Sequence, residues 1–220
     1  MIPFKRGQII SWWSGTFFAY LQLIFTKRHR IWYDPYPASG RRSHCSSVYD
    51  QDINGNWMEL DITAKNRLSA IGNPKTIWIF EFIDVPQKII NEAMEEIKTE
   101  AINKAYAYLQ LLYFPRRWFW ERAPFRLYKF WSTKFHGGKD IRRWGNWFPQ
   151  NWICSEETGH NYMMKICSRM IERGDIRFKY LKKRLEEWDG NNFHAWDAWI
   201  VLRDFKNIFK LIYQPEGEWK

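Results

Sequence analysis

The chain has 220 residues, with 34 Lys and Arg against 24 Asp and Glu, for a formal net charge of +10 at pH 7. Its 45% hydrophobic content supplies one sizeable core and excludes wholesale disorder. The charge favours an anionic partner without choosing among nucleic acid, membrane surface and acidic polymer.

Aromatic residues make up 19% of the chain, 15 of them Trp, so deep aromatic packing or aromatic contact surfaces are expected. Cys45, Cys154 and Cys167 form no C-x-x-C pair and no zinc-finger spacing. Neither a disulfide framework nor a structural metal site is indicated, and a reducing compartment is the default.

Near the N-terminus, residues 9–25 superficially resemble a membrane segment, flanked by Lys5 and Arg6 and by Lys27, Arg28 and Arg30. The stretch is short for a span, contains Ser11, Ser14, Gly15, Thr16 and Gln22, and lacks a small-residue cleavage site. It reads instead as a strand over 8–13, a turn at Ser14-Gly15 and a short buried helix, with a cytoplasmic location by default. Residues 31–42, rich in Pro, Gly and Tyr, read as a loop.

Residues 43–49 and 56–61 look like two strands, and Asn54-Gly55 between them is a strong hairpin signal. Such a hairpin brings His44 and Glu59 near each other at its open end. Strand alternation puts His44, Ser46 and Val48 on one face, and Trp57, Glu59 and Asp61 on one face of the partner. A third strand is expected over 76–83, buried on both sides.

From Pro86 the period changes. Ile90, Met94, Ile97, Ala101, Ala105, Tyr108 and Leu112 mark one face of a helix of about seven turns, ended by Pro115. Residues 116–148 interleave cations with Trp118, Phe119, Trp120, Phe125, Tyr128, Phe130, Trp131 and Phe135. This tract reads as an irregular insertion over the core. One role is a platform for single-stranded nucleic acid; the favoured one is a packing loop whose Arg and Lys stems lie over aromatic rings.

Trp152-Ile153-Cys154-Ser155-Glu156-Glu157 then delivers a cysteine to the start of an amphipathic helix carrying Met163, Ile166, Cys167, Met170 and Ile171. Residues 175–188 read as a charged connection, helical or extended. After a break at Asp189-Gly190-Asn191-Asn192, residues 193–213 supply a last helical stretch anchored by Trp196, Ile200, Phe205 and Phe209. No internal repeat, phosphate-binding glycine loop or H-E-x-x-H is present.

A thiol at a helix N-terminus sits where backbone N–H groups and the helix dipole favour the thiolate, although a lone cysteine also serves as a small packed hydrophobe. A nucleophilic cysteine needs a base, and the base needs a third group to fix its tautomer. Among His29, His44, His136, His160 and His194, only His44 lies on a strand with an acid, Glu59, on its hairpin partner. His160, six residues past Cys154, would point away from the helix start.

The order Gly7-Gln8-Ile9-Ile10, Ser43-His44, Trp57-Met58-Glu59 and Trp152-Ile153-Cys154-Ser155-Glu156 resembles the permuted papain-like (YaeF/YiiX-type) amidases, circularly permuted relatives of the NlpC-type cysteine peptidases. Lys104-Ala105-Tyr106 and residues 193–213 also look like that pattern, so the resemblance covers most of the chain. It implies an α+β, permuted papain-like domain spanning 1–220, in which a small antiparallel sheet or partial barrel packs on helices. It also implies a Cys-His-Glu triad: Cys154 as nucleophile, His44 as base and Glu59 orienting the imidazole. Substrates would be peptide amides or lipid-linked acyl groups, with no cofactor and no metal.

The chain departs from the pattern at Gln8, which replaces an acidic residue, at Cys45-Ser46 after the histidine, and in the aromatic tract. Two other functions compete with the hydrolase. One is a non-enzymatic binder of nucleic acid or an anionic or lipid surface, with nucleic acid the disfavoured partner. The other is a degenerate relative that binds acyl ligands without turnover.

Overall fold

A computed structural model describes residues 2, 4–12, 44–61, 68–71, 77–102, 105–106, 151–152, 155–186 and 195–214. The fold is α+β. Its strands are β1 (Ile9–Trp12), β2 (His44–Gln51), β3 (Trp57–Leu60), β4 (Leu68–Ala70), β5 (Ile77–Phe82), β6 (Ala105–Tyr106), β7 (Asn151–Trp152) and β8 (Phe209–Tyr213). Its α-helices are α1 (Gln87–Ile102), α2 (Met163–Glu172), α3 (Arg177–Glu186) and α4 (Ala195–Asp204), and a π-helical segment, Ser155–Tyr162, runs directly into α2. Six strands form one sheet in the order β4-β3-β2-β1-β5-β8. Every neighbouring pair in it is antiparallel.

The β2–β3 hairpin forms as the Asn54-Gly55 signal predicts. The Asp52 carboxylate accepts hydrogen bonds from the backbone N–H groups of Asn54 and Asn56, and Gly55 takes a φ of +79°, which only glycine adopts without cost. β5 lies between β1 and β8 with Ile77, Trp78, Ile79, Phe80 and Phe82 buried, as its unbroken apolar run predicts.

Directly opposed residues share a sheet face. One face carries Ile9, Cys45, Leu60, Trp78 and Phe80, which pack in the larger core with Ile90, Met94 and Ile97 of α1, Met163, Ile166, Cys167 and Met170 of α2, Phe178, Leu181 and Leu185 of α3 and Trp199 of α4. The Trp199 ring meets those of Trp78 and Phe80 nearly edge-on, at centroid distances of 4.7 Å and 5.6 Å. The other face carries a second, smaller core of Ile10, Val48, Ile77 and Ile79.

α1 and α2 are laced by Lys165 with Glu96 and Glu100 and by Arg169 with Glu92 and Glu96. Tyr49, the extra residue at an irregularity in the β2–β3 register, reaches toward α1. It donates to Glu95 and lies under the cations of Arg6 and Lys98, each 4.5 Å from its ring centroid.

Two expectations are corrected. The helix from Pro86 ends at Ile102, and Ala105–Tyr106 instead pairs in parallel with Asn151–Trp152; the apolar repeat continues past Ile102, but pairing with a distant strand overrides it. Residues 193–213 are not one helix. α4 stops at Asp204, Phe205 and Phe209 share a last helical hydrogen bond of 2.9 Å, and the chain then extends as β8 along β5. β4 had no sequence signal. The stretch 175–188, left between helix and extended chain, contains helix α3. The turn at Ser14-Gly15 and the helix after it, the loop 31–42, and the tract 116–148 lie outside the described residues. Among the described residues no helix is long and apolar enough to cross a membrane.

Candidate active site

His44 is the first residue of β2 and sits opposite Trp12, the last described residue of β1. Their rings meet near edge-on, with centroids 4.7 Å apart, which fixes the imidazole against the sheet. His44 is 5% exposed, as are Glu59 and Asp61. The site is therefore an imidazole and two carboxyl groups, all taken out of water together.

The register decides which acid meets the histidine. Ser47 opposes Leu60 and Val48 opposes Glu59. One step further, Asp61 falls across from Ser46, diagonal to His44, while Glu59 falls diagonal to Ser46. The side chains follow these diagonals. His44 Nε2 lies 3.1 Å from Asp61 Oδ1, and the Ser46 hydroxyl donates to Glu59 Oε2. Ser69, directly across from Glu59 on β4, also hydrogen-bonds to its carboxyl group.

Burial is the largest influence on Glu59 and pushes its pKa up to about 7; the negative field of Asp61 adds to the rise, against the pull of His44, Ser46 and Ser69. Near neutrality Glu59 is thus partly protonated, a state in which a carboxyl group donates as well as accepts. The expected Glu59 does belong to the cluster, but the carboxylate in contact with the imidazole is Asp61. The hairpin signal together with strand alternation already placed Asp61 on this face; what was missing was the register.

The helical stretch that begins at Ser155 is anchored at Tyr162. Tyr162, the last residue of the π-helical segment, donates its hydroxyl to the Gly7 carbonyl over 3.0 Å and meets the Phe82 ring. Gly7 is bonded to Val48, so this point lies toward the far end of β2 from His44. From there α2 runs on to the turn at Asp175, where Arg177 reaches Asp84 and the Asn207 carbonyl, past the end of β5. The π-helical segment itself packs against β2.

Its first described residue is Ser155. Cys154 lies outside the described residues. The side chains of α2, α1 and α4 pack on the sheet face opposite to His44.

The other thiols are packing residues. Cys45 and Cys167 are buried, and burial pushes the Cys167 thiol up to about 12. His160 is occupied structurally, with Nε2 3.1 Å from the Leu185 carbonyl and Nδ1 3.2 Å from Asn161 Oδ1. Gln8, in place of an acid, is buried and accepts a 2.8 Å hydrogen bond from the Lys5 backbone N–H. Here it closes a local turn.

Among the described residues no group of three or more His, Cys, Asp or Glu is arranged to hold a metal ion. Searches of protein-family models, curated proteins and solved structures find no match to this chain.

Proposed function

We propose that the protein is a cysteine hydrolase of permuted papain-like architecture, in which Cys154 attacks an amide, ester or thioester carbonyl and His44 is the base. The observation that carries this reading is the buried His44–Asp61 contact of 3.1 Å, an imidazole held beside a carboxylate out of water. With the Asp61 carboxylate beside Nε2, Nδ1 is the nitrogen assigned to take the proton of a thiol. Asp61 takes the orienting role, and Glu59 is the second acid beside it.

In the reaction, the Cys154 sulfur forms a thioester with the acyl group, and the backbone N–H of Cys154 stabilises the oxyanion. His44 returns its proton to the departing amine, alcohol or thiol. Water, deprotonated by the same imidazole, then releases the acid. The substrate class is a peptide amide or a lipid-linked acyl group.

The test is labelling of the intact protein with a thiol-directed chloroacetamide probe at pH 7, read by peptide mapping. The reading expects selective modification of Cys154, since Cys45 and Cys167 are buried, and loss of labelling in His44→Ala. Labelling that is unchanged in His44→Ala rules His44 out as the base.

A further inference from the structure

We propose that the cleft between α4 and β8 binds a single-chain fatty carboxylate. This cleft, about 350 Å³, is lined by Phe80, Ile83, Trp199, Leu202, Phe209 and Leu211, with Arg203, Lys206 and Lys210 around them and no acidic residue in the lining. That volume lies at the lower end of small-molecule sites, roughly 300–1,000 Å³, and suits one alkyl chain.

The cleft is separate from the His44 cluster. Trp199, Phe80 and Phe209 belong to the helix-packed core, whereas His44 is on the other face of the sheet, and Ile83 lies past the end of β5 furthest from Ile77 and His44.

Charge selects the occupant. Lys206 is exposed on the turn after α4 and makes no ion pair among the described residues. Arg203 lies one turn back and contacts Asp204 at 2.7 Å. Lys210 opposes Glu81 across the strand pair, so its side chain leans to the far side of the sheet. The walls among the described residues are mainly apolar side chains, a poor match for a sugar or a peptide, while Lys206 at the rim matches one anionic head on an alkyl tail. Leu211, 37% exposed on the edge strand, forms the open apolar lip through which the chain enters.

The experiment is calorimetric titration of the full chain with dodecanoate below its micellar concentration at low salt. One saturable site is expected. Dodecanol should bind at least about tenfold more weakly, because it offers Lys206 no charge. Lys206→Glu should weaken dodecanoate at least about tenfold, Lys206→Arg should restore it, and Lys179→Glu, the same charge change on the exposed side of α3, should leave it unchanged.

Thermal melting without ligand checks that each variant is folded. The proposal is overturned by absence of saturable binding, by equal affinity for dodecanol, by equal loss in Lys206→Glu and Lys179→Glu, or by binding seen only with anionic phospholipid vesicles. None of these outcomes bears on Cys154 labelling, so this site and the hydrolase reading stand or fall separately.

Discussion

His44 Nε2 lies 3.1 Å from Asp61 Oδ1, while Glu59, two residues earlier and on the same face, is turned to Ser46 and Ser69. Two acids thus flank one imidazole in unequal roles. The His44–Asp61 contact is shielded from water, each residue being 5% exposed. The other acid is held by hydroxyls and pushed toward its neutral form.

Exchanging each acid for its amide separates the roles. Asp61→Asn replaces the charged contact with a neutral amide and should slow Cys154 alkylation at pH 7 by about tenfold to a hundredfold, the scale of losing a base's orienting partner. Glu59→Gln should change the rate by less than about threefold. The measurement is the second-order labelling rate of each variant. A larger effect at Glu59 would return the orienting role to that residue.

Glu59 also sets a pH dependence of stability. Its folded pKa, about 7, lies above the ordinary glutamate value of 4.5, so the folded state binds more protons than the unfolded chain between these values. Stability therefore falls as pH rises from about 4.5 through 7, by up to about 3 kcal/mol at 1.36 kcal/mol per unit. Glu59→Gln removes the ionisation and keeps the shape. The variant should be more stable than the parent at pH 8, with the gap closing toward pH 4.5. Urea titrations at the two pH values check this; a gap independent of pH would show that Glu59 ionises freely in the folded state.

The hairpin, the central strand β5 and the amphipathic face of α2 were legible because each rests on local chemistry: Asn54-Gly55 for the turn, an unbroken apolar run for burial on both sides, and three- and four-residue spacing for the helix. What could not be read depends on distant partners. Ala105–Tyr106 continues a helical repeat yet pairs with Asn151–Trp152, and Phe205 and Phe209 stand one helical step apart although the chain extends immediately afterward. The same holds at the site. Strand alternation put His44, Glu59 and Asp61 within reach of one another, but a shift of two residues in register decides which acid touches the ring, and no local signal sets it.

Gly7 is where the N-terminal turn, α1 and the π-helical segment come together. Its φ is +89°, and a Cβ there would collide with Ile90 and lie 2.9 Å from Tyr162 Oη. Gly7→Ala therefore combines backbone strain with overpacking, each of which typically costs about 1–3 kcal/mol. The expected loss is about 2–5 kcal/mol, or roughly 5–15 °C in Tm for a chain of this size. Calorimetry measures it, and a shift below about 2 °C would mean that the contact with Ile90 relaxes without cost.

Tyr162 ties the π-helical segment to this junction. Burial pushes its hydroxyl pKa well up, so the group stays protonated and donates to the Gly7 carbonyl over 3.0 Å, anchoring the end of the π-helical segment farthest from Cys154. Tyr162→Phe keeps the ring contact with Phe82 but leaves that carbonyl without its donor, at a cost of about 1–2 kcal/mol, or roughly 2–6 °C in Tm. If the anchor also holds the helix start in line with the His44 end of the sheet, the labelling rate of Cys154 should fall several-fold at temperatures well below the melt. A variant that loses stability but labels Cys154 at the parent rate would confine Tyr162 to packing and separate the junction from the chemistry.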